Sequence, residues 1–181
     1  MKKLIAFIFF TSISLCAQNK KFKAEVILET KLSCRAILVD EEKVWMGMDK
    51  GRYGFYDKKK DTTIIKDIQS VSRTTEFRSI AGTKDAIFIL AIGNPAMLIR
   101  IDKNTLEETV VYKEEHEKVF YDSMQFVDDL NGFVMGDPIE NCLAFIKTTD
   151  GGKTWQKVNC DVLPKVSEGE AAFATSNTNL I

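Results

Sequence analysis

The sequence predicts an all-β fold, a partial β-propeller of four-stranded antiparallel blades with about three and a half blades present. Three observations carry this reading. The chain repeats itself at about 43 residues, each copy holds four short apolar stretches divided by Gly, Asp and Asn turns, and one copy contains a hairpin motif of defined local chemistry. Composition agrees: of 181 residues 45% are hydrophobic, 28% are charged and only three are proline, which excludes a disordered or collagen-like chain.

The chain opens on Met1-Lys2-Lys3, a 12-residue apolar run from Leu4 to Leu15, and then Cys16-Ala17-Gln18. Charged residues, an apolar stretch and a small-residue cleavage site read as a signal peptide over 1–17, cut after Ala17, with export to the periplasm, the outer surface or the medium. A membrane anchor would need about 20 apolar residues, so no transmembrane span is expected in the mature chain. A lipoprotein acylated on Cys16 would want a small residue where Leu15 stands. The formal charge is −1, and becomes −3 once Lys2 and Lys3 leave with the leader. No basic surplus remains to draw nucleic acid.

Export places Cys34, Cys142 and Cys160 where disulfides persist. Cys142 and Cys160 lie 18 residues apart in what reads as one sheet and are the expected pair, the alternative being three small buried residues. No metal site is expected. There is no Cys-x-x-Cys, and the single histidine, His116, sits in the solvent-facing run Glu114-Glu115-His116-Glu117-Lys118.

After an N-terminal segment or strand at 18–32, the blades are read as 33–75, 76–118 and 119–165, with a fourth beginning at 166–181. Each opens on a matching strand: Ser33-Cys34-Arg35-Ala36-Ile37, Glu76-Phe77-Arg78-Ser79-Ile80 and Phe120-Tyr121-Asp122-Ser123-Met124. Arg78 follows Arg35 by 43 residues and Asp122 follows Arg78 by 44. The second strands are Lys43 to Gly47, Ala86 to Leu90 and Gly132 to Gly136. The third strands each end on aspartate, at Asp57, Asp102 and Asp150, and the fourth are Thr62 to Ile65, Glu108 to Tyr112 and Thr154 to Val158. Thr105 to Phe120 can also be placed on helical spacing, but Val110-Val111 and the three-copy register favour a strand followed by a loop.

The run Thr148-Thr149-Asp150-Gly151-Gly152-Lys153-Thr154-Trp155 fits Ser/Thr-x-Asp-x-Gly-x-x-Trp, the Asp-box or bacterial neuraminidase repeat. Its physics is local. A carboxylate at Asp150 and a hydroxyl at Thr148 can bond the turn's own amides, Gly152 can take a positive φ, and Trp155 can fold beneath the hairpin. Asp150 therefore reads as structural rather than catalytic. Asp57 and Asp102 sit at equivalent corners without the Gly and Trp, as degenerate copies.

With this box, Phe77-Arg78-Ser79-Ile80, Gly136-Asp137-Pro138 and Glu168 to Asn177, the chain resembles secreted Asp-box propellers related to the photosystem II stability and assembly factor. Wider relatives are sialidases and sortilin-type receptors. The resemblance implies a ring of six or seven blades, so the sequence is expected to be the N-terminal half of a longer protein. Some members carry an oxidoreductase label, but no Gly-x-Gly-x-x-Gly, haem motif or redox cysteine pair supports it here, and no cofactor is expected.

In a propeller the opening strands line the channel. Arg35, Arg78, Asp122 and Glu170 fall at equivalent opening positions, with Asp137 after a second strand, and form the candidate ligand site. Arginines and carboxylates around a channel suit a protein or glycan partner; alternatively these charges pair between blades and hold the ring. The leading function is a non-enzymatic binding or assembly module. A glycoside hydrolase of sialidase type is the second reading, although the Phe/Tyr-Arg-Ile-Pro proline of those enzymes is missing after Arg35 and Arg78 and the chain has five arginines. An architectural module of a larger surface protein is the third.

Overall fold

The structure, a computed structural model, describes residues 23–172. The leader at 1–17 with Cys16, and the segment from Phe173 onward, lie outside the described residues. Three four-stranded antiparallel sheets follow one another along the chain. The first holds β1 (Cys34–Asp40), β2 (Lys43–Met48), β3 (Arg52–Asp57) and β4 (Thr62–Asp67). The second holds β5 (Phe77–Gly82), β6 (Ala86–Ala91), β7 (Ala96–Asp102) and β8 (Glu108–Glu114). The third holds β9 (Tyr121–Phe126), β10 (Gly132–Ile139), β11 (Cys142–Thr148) and the short β12 (Gln156–Lys157). Within each sheet the strands lie in sequence order, and the opening strands pack together, β1 against β5 and β5 against β9. This is the arrangement of propeller blades around an axis.

Strand alternation explains the stacking. On β6, Ile87, Ile89 and Ala91 join Trp45, Tyr53 and Phe55 of the first sheet, while Ala86, Phe88 and Leu90 join Tyr121, Met124, Val134 and Trp155 of the third. The uninterrupted apolar run of β6 is the mark of a strand covered on both faces. Residues 108–114 form a strand, and His116 follows in a loop where its Nδ1 accepts from the Lys118 amide.

The third strand of the last sheet corrects one expectation: it ends at Thr148, and Asp150 lies in the turn beyond it. Asp57 and Asp102 are the last residues of their strands and bond the next turn directly. Asp57 accepts from the Lys59 and Lys60 amides at 3.0 and 3.2 Å, and Asp102 from those of Asn104 and Thr105 at 2.9 and 3.0 Å. In the longer third turn two residues share the work. Thr148 Oγ1 accepts from the Gly152 amide, while Asp150 accepts from the Thr154 hydroxyl and from the Lys153 and Thr154 amides. Those donors, the Thr154 hydroxyl foremost, hold the Asp150 carboxyl down at about 2.

This hairpin also reaches out of its own sheet. Trp155 Nε1 donates to the Gly152 carbonyl at 3.2 Å, and the indole edge meets Phe126 and, on the neighbouring sheet, Phe88. Gly152 has φ +76, and a Cβ there would stand 2.3 Å from the Phe88 ring. Leu106, in the corresponding turn of the second sheet, packs against the cluster containing Trp45 of the first. In the second and third sheets the turn before the outer strand thus packs toward the preceding sheet.

Cys142 of β11 and Cys160 of a short 3-10 turn form a disulfide, with Cα atoms 5.5 Å apart. Cys34 is exposed and unpaired, so the reading of three buried cysteines does not hold. No helix among the described residues is long and apolar enough to cross a membrane.

Gly152→Ala combines a positive-φ side chain with an overlap on Phe88 and is expected to cost about 2–4 kcal/mol in denaturant unfolding. A Gly→Ala change at Gly93, where nothing lies within 4 Å of a Cβ, carries only the backbone part and should cost less. Cys142→Ser is expected to lower stability by about 2–4 kcal/mol under oxidising conditions and to have no effect once the parent is reduced.

Candidate functional site at the inner-strand rim

Sheet pairing slips by one residue at the same place in all three opening strands. The β1–β2 register skips between Cys34 and Ala36, the β5–β6 register between Phe77 and Ser79, and Met135 and Gly136 pair with Ser123 and Tyr121. The residues left unpaired are Arg35, Arg78 and Asp122. A bulge re-aims the side chain it carries, so three charged groups are turned out of their ladders at equivalent points of adjacent inner strands. A charge at the same place in three otherwise apolar strands is the sequence signal for this. The bulge itself has no local residue signature here.

The three are not alike. Arg35 is exposed and makes no ion pair among the described residues. Arg78 is three-quarters covered: Nη2 donates to Glu76 Oε2 at 3.2 Å, its guanidinium lies 5.8 Å from the Phe120 ring, and its buried Nε has no acceptor. Asp122 is 1% exposed and neither carboxylate oxygen has a donor among the described residues. The Ser123 hydroxyl beside it is likewise buried without a partner. Burial first, and then the negative charge of Asp137, push the Asp122 carboxyl up to about 7, against a smaller pull from Arg78.

The other two expected members stand differently. Asp137 lies inside β10, not after it; its amide donates to the Phe120 carbonyl and its Oδ1 accepts from the Ala172 amide, each at 2.8 Å. It ties the segment after the third sheet to the rim. Glu170 is on no strand: it is exposed in a turn, and its Oε2 accepts from the Ser167 amide at 2.7 Å. The expected equivalence of Glu170 with Arg35, Arg78 and Asp122 therefore fails, because the chain around it makes a turn and a Ser167–Glu170 bond instead of a ladder.

Charge pairing between sheets falls to residues the sequence did not single out. Lys103 of the second sheet bonds Asp40 of the first at 2.8 Å. Glu114 accepts from the Tyr112 and Tyr121 hydroxyls, both at 2.7 Å, and from Lys157 of the third sheet. The Asp129 carboxylate takes the Lys84 amide at 2.7 Å. On the opposite face, the turns of all three sheets line a cleft of about 600 Å³ that includes Asp40, Lys43, Asp57, Lys84, Lys103 and Asp129. No cluster of three or more His, Cys, Asp or Glu with metal-binding placement occurs among the described residues.

The raised Asp122 carboxyl fixes the sign of a pH effect. Between the ordinary value of 3.8 and about 7 the folded chain holds a proton that the unfolded chain has lost, so stability falls as pH rises through that window and levels off above it. Asp122→Asn is expected to flatten this fall and to gain up to about 4 kcal/mol over the parent at pH 8 relative to pH 4. Urea unfolding of both proteins across that range reads it directly.

No family model matches the chain, and no curated protein matches it. Solved structures do. The structure described as YCF48 bound to D1 peptide aligns with TM-score 0.56 and 15% identity over 73% of this chain and 42% of that one. The structure of U3-55K aligns with TM-score 0.60 and 6% identity over 81% and 43%, and the RRP9 WD40 repeats with 0.59 and 6% over 81% and 42%. The chain therefore spans less than half the length of each of these three structures. The three sheets and these likenesses together establish the fold as a partial β-propeller.

Proposed function

We propose that this chain is an exported propeller module, of the Asp-box type, that binds a segment of another protein across the rim formed by its bulged inner strands. The observation that carries the reading is the shared register slip, which turns Arg35, Arg78 and Asp122 out of their ladders at one end of the inner strands. A scaffold held by apolar sheet stacking does not need charges there, and the inter-sheet ion pairs lie elsewhere. Arg35 offers a free guanidinium and Arg78 a second that is partly covered, both able to grip backbone carbonyls or acidic side chains. That one structure of similar fold holds a peptide is consistent with this reading.

A glycosidase needs two carboxylates facing one substrate. Asp122 is sealed from solvent, and Asp137 is engaged by the Ala172 amide. The site geometry does not favour hydrolysis.

Selection of short displayed peptides on the immobilised full chain tests the proposal. Peptides should be enriched, and their binding should weaken at least about tenfold in Arg35→Ala/Arg78→Ala while the far-UV spectrum stays unchanged. No enrichment, or binding that ignores both arginines, defeats it. Cleavage of an oligosaccharide panel that is lost in Asp137→Ala would put the hydrolase in its place.

A further inference from the structure

Arg78 and Asp122 occupy matching bulges on neighbouring inner strands, β5 and β9, which pack against each other. Each has an unmet requirement. Among the described residues the buried Arg78 Nε–H has no acceptor and the two buried Asp122 oxygens have no donor, although the two residues are close enough to act on one another electrostatically. Buried polar groups are ordinarily satisfied, and an arginine beside a carboxylate ordinarily pairs with it. Here Arg78 instead spends its Nη2 on Glu76, two residues back on its own side of the bulge, and rests against Phe120.

We propose that Asp122 and Arg78 form a proton-controlled gate: with Asp122 neutral the Arg78 guanidinium stays on Glu76 at the rim, and with Asp122 ionised it turns inward to the buried carboxylate and releases Glu76. The physical reason is the cost of an unpaired buried anion. A protonated Asp122 makes no such demand, so the partly solvated Glu76 keeps the guanidinium. Once the proton leaves, the vacant Nε–H and the two vacant oxygens satisfy one another through a charge-assisted bond. The Asp122 O–H bond breaks with its electron pair left on the carboxylate, and the proton is taken up by a solvent water.

The charged groups facing Asp122 are Arg78 from β5 and Asp137 from β10. Asp137 opposes ionisation and is fixed in place by the Ala172 amide. Glu76 acts only through its hold on Arg78, and Glu170 is taken up by Ser167. Burial and Asp137 together set the gate near neutral pH rather than in the acid range of a solvated aspartate. Opening it changes the rim, since a cation is withdrawn and Glu76 is left without its partner. The gate does not depend on what the rim binds.

Nuclear magnetic resonance of the isotopically labelled full chain between pH 5 and 9 tests it, following the Asp122 carboxyl carbon and the Arg78 Nε–Hε pair. The two are expected to move together with one midpoint near neutrality. Asp122→Asn should hold the Arg78 signal at its acid position throughout. Glu76→Gln, which removes the competing anion at a half-buried site, should lower the Asp122 midpoint by about half a pH unit or more. An Arg78 signal that stays still while Asp122 titrates overturns the gate, as does an Asp122 midpoint below 5 or an Arg78 response that survives in Asp122→Asn. Should that variant fail to fold, the direction of the Glu76→Gln shift decides: an unchanged or raised midpoint overturns the proposal.

Discussion

All six residues of β6, Ala86 to Ala91, are buried, and because a strand sends alternate side chains to opposite faces, the second sheet requires a neighbour on each side. Ile87 and Ile89 bind it to the first sheet, Phe88 and Leu90 to the third. At about 1.5–3 kcal/mol for each large apolar side chain removed from water, this double burial outweighs any surface ion pair between the sheets. The opening strands are brought together as a result, and only then do positions 43 and 44 residues apart in the chain become neighbours.

Turn chemistry serves the same stacking. In the first two sheets an aspartate ending the third strand caps the turn with two backbone bonds. The third sheet uses a longer turn, shares the caps between Thr148 and Asp150, and gains a tryptophan that presses on Phe88. Gly152 is needed twice over, for its left-handed backbone and for the room it leaves the phenylalanine. The motif is thus a latch between sheets as well as a hairpin.

Against this apolar scaffold the rim is a place of unresolved polarity. Bulges cost ladder pairing and are kept where a side chain must point elsewhere. Here one bulge presents an exposed cation, the next a half-committed one, and the third a carboxylate shut in without a donor. Among the described residues, the buried side-chain polar atoms without a partner include Arg78 Nε, both Asp122 oxygens and the Ser123 hydroxyl on two adjacent inner strands, besides Trp45 Nε1, Tyr53 Oη and Arg100 Nε elsewhere. A stable apolar scaffold that leaves polar groups unsatisfied at one rim is the expected layout of a binding module.

The sequence by itself determined the sheets and their order, because short apolar stretches, Gly, Asp and Asn turns and a repeat of about 43 residues are signals carried along the chain itself. It also determined the Asp150 turn, whose bonds close within a few residues, whereas the pairing of Cys142 with Cys160 was left open in the sequence and was decided by the fold that brings their Cα atoms to 5.5 Å. It misplaced the end of β11 by two residues, since Thr149 reads equally well as strand or turn. Only the tertiary structure decided which charges meet. Arg78 and Asp122 are 44 residues apart and come together through sheet stacking, Glu170 drops out because its segment turns instead of pairing, and Lys103 with Asp40 takes over the bridging role. Burial of Asp122 follows from the packing of two inner strands, a non-local event that no run of residues around it announces.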